Sequence, residues 1–140
     1  MRILIAADGS PFSKRMLDYV AAHSELFNRE NVYTVLTVVM RVPPHAASVV
    51  GKRTVMEYYE DEAEKVLKPV RHFFEARGYP AKATFQVGHP AEVIAQTATS
   101  GQYDMVVMGS HGHAAIGNLV MGSVATKVLA HCKTPVLIVR

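Results

Sequence analysis

The residues whose types and spacing can do chemistry in this chain lie in its last third. They form the run Met108-Gly109-Ser110-His111-Gly112, followed nine residues later by Gly122-Ser123-Val124. The run leaves an apolar segment and enters a helical one. Glycine removes a side chain where backbone must approach a bound group, and the first N–H groups of a helix have no internal partner and face outward. An anion at such a helix start gains about 0.3–1 kcal/mol from the helix dipole, and up to ~2 kcal/mol when partly buried. Gly109 is expected beside a ribose and Gly112 beside a phosphate, with Gly122, Ser123 and the Ser123 hydroxyl supplying donors at the helix entry. Asp8, in Ala7-Asp8-Gly9-Ser10, is a second candidate. It ends the first apolar run, where an aspartate either caps the next helix or faces a ligand at the strand end; ligand contact is the expectation.

Other polar residues carry less. His111 and His113 stand two apart with no third donor nearby, so a zinc site is not expected; one ring is expected near phosphate oxygens and the other in solvent. Metal ligands are otherwise unassigned. His89, between Gly88 and Pro90, reads as a turn residue, and His23, His45, His72 and His131 as surface or packing residues. Cys132 has no evident activator and reads as structural. Gly51-Lys52-Arg53-Thr54 echoes the tail of a phosphate-binding P-loop, but the glycine required five residues earlier is Ala46 and no strand immediately precedes it, so the match fails. No G-x-G-x-x-G occurs. No residue set reads as catalytic.

The elements that must position these residues follow from hydrophobic periodicity. Ile3–Ala7, Val32–Met40, Met105–Met108 and Val136–Val139 are nearly continuous apolar runs, as buried parallel strands are; Ala83–Val87 alternates and reads as an edge strand. Ser10 and Pro11 can start a helix with Phe12, Met16, Val20 and Phe27 on one face. A longer helix from about Thr54 to Gly78 carries Met56, Tyr59, Ala63, Val66, Val70 and Phe73 at helical spacing, with Pro69 expected to kink it or displace a hydrogen bond. Pro90 opens a helix that Gly101 closes, and the last helix runs from Gly122 to before Pro135. Arg41–Arg53, with Pro43-Pro44 and Gly51, reads as a mobile loop able to gate the site. Alternating strands and helices give a doubly wound parallel sheet, whose ligands bind at the strands' C-terminal ends where the winding reverses.

Composition sets the frame. A length of 140 residues suits one domain, since domains most often run about 100–150 residues. Hydrophobic residues at 49% and charged residues at 19% supply a core and exclude disorder. The net charge of +3 contains no run of five like charges, so no nucleic-acid arm is expected, and the mild basicity suits anionic ligands. A single cysteine fits a reducing compartment, and no stretch reaches the roughly 18 apolar residues of a membrane helix. The expectation is a soluble, cytoplasmic protein.

The spacing G-x2-G-x9-G-S at Gly109, Gly112, Gly122 and Ser123 resembles the ATP-binding signature of the universal stress protein family. So do Ile3–Ser10, a first strand ending in aspartate; Val87-Gly88-His89-Pro90, a turn into a helix; Tyr103–Ser110; and the closing Pro135–Val139. The resemblance covers nearly the whole chain, residues 1–140 as one domain. It implies a three-layer α/β/α, Rossmann-like fold of the adenine nucleotide alpha hydrolase-like kind, with a five-stranded parallel sheet of order 3-2-1-4-5. It also implies that Ala7, Asp8, Val38, Met108, Gly109, His111, Gly112, Gly122, Ser123 and Val124 contact ATP, carried with Mg2+ or Mn2+. ADP and AMP share the adenosine contacts. The strand around Val38 reads Leu36-Thr37-Val38-Val39, with threonine where the family often has histidine, and the loop interior Ala114–Asn118 carries no basic residue.

The expected function is therefore that of a nucleotide-binding regulatory protein of the stress response, with slow ATP hydrolysis at most: no base or arginine finger, worth about 10³–10⁵ in rate, is evident. Two alternatives stand beside it. An adenine-nucleotide hydrolase or transferase of this architecture is disfavoured because such enzymes carry an S-G-G-x-D-S loop after strand one, and a nucleotide-free dimeric adaptor needs no ligand at all. A homodimer is expected either way, since Pro135–Arg140 is an apolar edge that ends uncovered; the resemblance implies antiparallel pairing with the same strand of a second copy.

Overall fold

Five strands, β1 (Arg2–Ala6), β2 (Val32–Val39), β3 (Ala81–Val87), β4 (Met105–Gly109) and β5 (Val136–Val139), form one parallel sheet in the order β3-β2-β1-β4-β5. The coordinates are a computed structural model that describes residues 1–114 and 117–140; Ala115 and Ile116, inside the loop that carries no basic residue, lie outside the described residues. Helices α1 (Pro11–Ala22), α2 (Pro44–Val50), α3 (Lys52–Ala76), α4 (Pro90–Ser100) and α5 (Ser123–His131) connect the strands.

Side chains alternate across the sheet even within the continuous apolar runs, because successive residues of a strand point to opposite faces. Ile3, Ile5, Ala7, Tyr33, Val35 and Val107 pack under α1 and α3 with Met16, Val20, Ala63, Leu67 and Phe74. Leu4, Ala6, Leu36, Val106 and Met108 pack under α4 and α5 with Ile94, Ala98, Ala125 and Val128. This makes two cores, one on each face of a three-layer α/β/α sandwich. Ser10 caps α1, accepting from the Ser13 N–H, with Pro11 in the first turn.

Several expectations are corrected. β1 and β2 each end one residue early, β4 extends one further to Gly109, and β3 begins two residues earlier, at Ala81. Phe27 is fully buried but lies beyond the end of α1. The buried stripe of α3 is Val55, Tyr59, Ala63, Leu67, Val70 and Phe74. Met56 is 51% exposed, and Val66 and Phe73 lie at the stripe's margin. Pro69 sits inside α3 without ending it. The segment expected as a loop holds α2, which buries none of its residues. Its entry is tied to α3 by the Val42 N–H donating to the Tyr59 hydroxyl at 2.9 Å. Among the described residues no helix is long and apolar enough to cross a membrane.

Candidate functional site

β1 and β4 are neighbours at the centre of the sheet, but the helices that follow them pack on opposite faces. Their exit loops therefore part above the strand ends, as at the switch point of any doubly wound sheet. The gap between them is a cavity of about 660 Å³, within the ~300–1,000 Å³ usual for small-molecule sites.

All ten residues expected to contact a ligand border this one cavity: Ala7 and Asp8 after β1, Val38 on β2, Met108 and Gly109 at the end of β4, His111 and Gly112 in the loop, and Gly122, Ser123 and Val124 at the entry of α5. Val38 is joined by its neighbours Leu36 and Thr37, so the wall is set by the end of β2 as a whole. Reasoning from sequence did not anticipate Ser13 of α1, Met40 beyond β2, or Glu62 and Val66 of α3, which also face the cavity. For Ser13 a signal existed, the hydroxyl-rich run Asp8-Gly9-Ser10-Pro11-Phe12-Ser13 at a helix start. For Glu62 and Val66 there was none, because their position depends on how α3 lies across the strand ends. His89 does not line the cavity, although the next residue, Pro90, does.

The loop glycines have reasons inside the protein. A Cβ on Gly109 would stand 2.9 Å from Phe12 Cβ and 3.1 Å from its carbonyl group, so α1 packs directly on the end of β4. A Cβ on Gly112 would stand 2.8 Å from Asp8 Oδ2, and one on Gly122 would stand 3.0 Å from the Ser110 oxygen and 3.1 Å from His111 Cα. None of the three has a positive φ, so the need is for space and not for conformational freedom. The expected ribose and phosphate clearances are thus joined by contacts to Phe12, Asp8 and Ser110.

Four hydrogen bonds draw the loop together. Gly122 N–H donates to the Ser110 carbonyl at 2.7 Å, closing its two ends. His111 Nε2 lies 2.8 Å from the Leu119 carbonyl and Nδ1 2.8 Å from Ser110 Oγ. A carbonyl only accepts, so Nε2 carries a proton. Both nitrogens of the ring expected near phosphate are thus engaged within the loop. His113, expected in solvent, is exposed but donates from Nε2 to the Asp8 carbonyl at 2.7 Å. Gly122 precedes α5 without a side-chain cap, and among the described residues the N–H groups of Ser123, Val124 and Ala125 have no acceptor. All three border the cavity, forming an anion-seeking helix start.

Asp8 braces the start of α1 and borders the cavity as well. Oδ1 accepts from the Ser10 N–H at 2.9 Å and the Ser13 hydroxyl at 2.8 Å, capping the turn into α1, while its side chain borders the cavity. Glu62 is the other carboxylate of the wall; its Oε1 accepts from Lys65 Nζ at 2.7 Å. No lysine or arginine is among the described lining residues.

Comparison with known proteins places this geometry. The model of the universal stress protein family matches residues 1–140. A universal stress protein of Thermus aquaticus is 32% identical over 139 residues, spanning 99% of this chain and 97% of its own. Among solved structures, MJ0577 of Methanocaldococcus jannaschii superposes with a TM-score of 0.79 at 26% identity, covering 99% of this chain and 94% of that one. A universal stress protein in complex with cAMP shares the fold at a TM-score of 0.69 and 23% identity, covering 100% of this chain and 97% of that one.

Proposed function

Since the chain belongs to the universal stress protein family, we propose that it is a cytoplasmic stress-response regulator that binds ATP in the cavity between the β1 and β4 loops. One observation carries this reading: ten residues chosen for nucleotide contact border a single cavity whose far wall is the uncapped start of α5. The adenosine end is assigned to Ala7, Asp8, Val38 and Met108. The phosphates are assigned to the backbone around Gly109, His111 and Gly112 and to the N–H groups and hydroxyl of Ser123 and Val124.

The donor set also fits a divalent cation travelling with the triphosphate. Glu62 and Ser123 border the cavity, and carboxylate and hydroxyl oxygens of this kind suit Mg2+ or Mn2+. The ion would supply the charge neutralisation that no lysine or arginine of the described wall provides. That same lack leaves no cationic side chain of the described wall to offset charge developing on a transferred phosphoryl group, so any hydrolysis is slow and the output is conformational or through partners. A second reading, a ligand with a single phosphoryl group, is favoured by the same lack of lysine and arginine in the described wall; a universal stress protein of the same fold holds cAMP.

The test is a titration of magnesium-loaded protein with labelled ATP, with mass spectrometry of any ligand released from freshly purified protein. Wild type is expected to saturate. Gly122→Val, whose side chain would press on backbone atoms of Ser110 and His111, is expected to weaken binding at least about tenfold. Absence of saturable binding by wild type, with the variant behaving identically, defeats the reading. Release of a monophosphate in place of ATP selects the second.

A further inference from the structure

Asp8 is engaged by the protein at every polar atom but one. Its N–H donates to Ser13 Oγ at 2.9 Å, its carbonyl accepts from His113 Nε2 at 2.7 Å, and Oδ1 accepts from the Ser10 N–H at 2.9 Å and the Ser13 hydroxyl at 2.8 Å. Oδ2 has no donor among the described residues. Ser13 is 6% exposed, and its hydroxyl is fully committed: the oxygen takes the Asp8 N–H and the proton goes to Oδ1. Two donors on one side of the carboxylate fix its plane. On the other side Gly112 leaves the space that Oδ2 occupies, since a Cβ there would come within 2.8 Å of it.

An ionised carboxylate only accepts hydrogen bonds, and next to phosphate it repels. An oxygen held rigidly at the cavity wall with no protein donor is therefore matched to a donor brought by the ligand. We infer that Ser13 is a positioning residue, which with Gly112 presents Asp8 Oδ2 to a hydrogen-bond donor on the nucleotide, either a ribose hydroxyl or the exocyclic amine of adenine. This rests on the nucleotide reading of the same cavity. A site built around such a bond discriminates strongly against a ligand lacking the donor.

The experiment measures affinities of wild type, Ser13→Ala and Ser13→Thr by calorimetry, in EDTA, for AMP, for IMP (no exocyclic amine) and for 2′,3′-dideoxy-AMP (no ribose hydroxyls). Wild type is expected to bind AMP at least about tenfold more tightly than one analogue, as for a hydrogen bond to a charged group. That analogue identifies the donor. Ser13→Ala should lose most of the ratio while still binding the analogue, and Ser13→Thr should restore it. A ratio within one variant is insensitive to simple loss of stability. Asp8→Asn, which replaces an acceptor oxygen by an amide, should abolish the same ratio and decides the matter if Ser13→Ala does not fold. The inference is overturned if Ser13→Ala weakens all ligands equally or changes nothing. It is equally overturned if AMP binds only with added Mg2+ and Ser13→Ala removes that dependence, because Oδ2 then holds a cation. Binding without discrimination sinks this inference alone, whereas no binding of any ligand by wild type, in EDTA or with Mg2+, removes the nucleotide reading with it.

Discussion

Adding one methyl group to each of two loop glycines separates packing from ligand contact. At Gly109 the new carbon would meet Phe12 Cβ and backbone at 2.9–3.1 Å, atoms that cannot swing aside. Gly109→Ala is therefore expected to cost about 1–3 kcal/mol of stability, read as a shifted urea midpoint. At Gly112 the neighbour is a side-chain atom, Asp8 Oδ2, which an added carbon would displace at the expense of the carboxylate's hydrogen bonds to Ser10 and Ser13 and not of the backbone. Gly112→Ala should leave the midpoint within about 1 kcal/mol of wild type and instead weaken nucleotide binding. Equal losses of stability in both variants would contradict this distinction. The spacing of these glycines was legible in the sequence, but the reasons for them were not, since Phe12 and Asp8 reach them only through tertiary packing. Tyr33 gives a second residue-level prediction. Burial pushes its phenol pKa up, against smaller lowering contributions from its hydrogen bonds to Asn31 and Asn28. The unfolded tyrosine titrates near pH 10, so the stability linked to Tyr33 is complete below that pH and is lost as pH rises through the higher folded value. In an ultraviolet titration one of the six tyrosines should ionise late, and Tyr33→Phe should remove that step.

Among the elements, α3 shows most clearly what a pattern can and cannot reveal. Its existence and extent were readable from the period, and Tyr59, Ala63 and Val70 belong to both the expected and the observed stripe. A period of 3.6 residues admits either flank of those three positions, and only the sheet surface selects Val55, Leu67 and Phe74 over Met56, Val66 and Phe73. α2 was missed because the paired prolines and Gly51 signal irregular chain, and none of its residues is buried to leave a hydrophobic imprint. Pro69 lies inside α3 at an exposed position, where it removes a backbone donor to the carbonyl four residues earlier. Pro69→Ala is expected to stabilise the protein by about 1–2 kcal/mol in urea unfolding; an unchanged or lowered midpoint would show that the helix has adapted to the proline.

For the molecule as a whole, the strand order was legible because alternating elements and right-handed crossovers leave few topologies, and that order brought the ten expected residues together around the C-terminal ends of the central strands. Two consequences are measurable. The described wall has no lysine or arginine, so dependence on divalent cation should rise with phosphate number: removing Mg2+ should weaken ATP binding at least about tenfold and AMP binding hardly at all. Equal dependence would place the cation elsewhere. β5 is an edge strand with Val136, Leu137 and Ile138 only partly covered, and Leu129 of α5 is exposed. Light scattering is expected to return a dimer of 15.4 kDa chains, and Ile138→Pro, which removes a donor on the side of β5 turned away from β4, should shift it towards monomer.

The hydrogen bond from His113 to Asp8 joins residues 105 positions apart, and the cavity borrows its walls from β1 through to α5. During synthesis, then, a ribosome-bound chain that already holds β1, β2 and β3 carries Asp8 and Val38 but lacks the β4 loop and the α5 start that complete the cavity. If the proposed nucleotide binds there, full capture would wait for α5 to fold against β4, so occupancy would report on chains whose β4 and α5 are already in place.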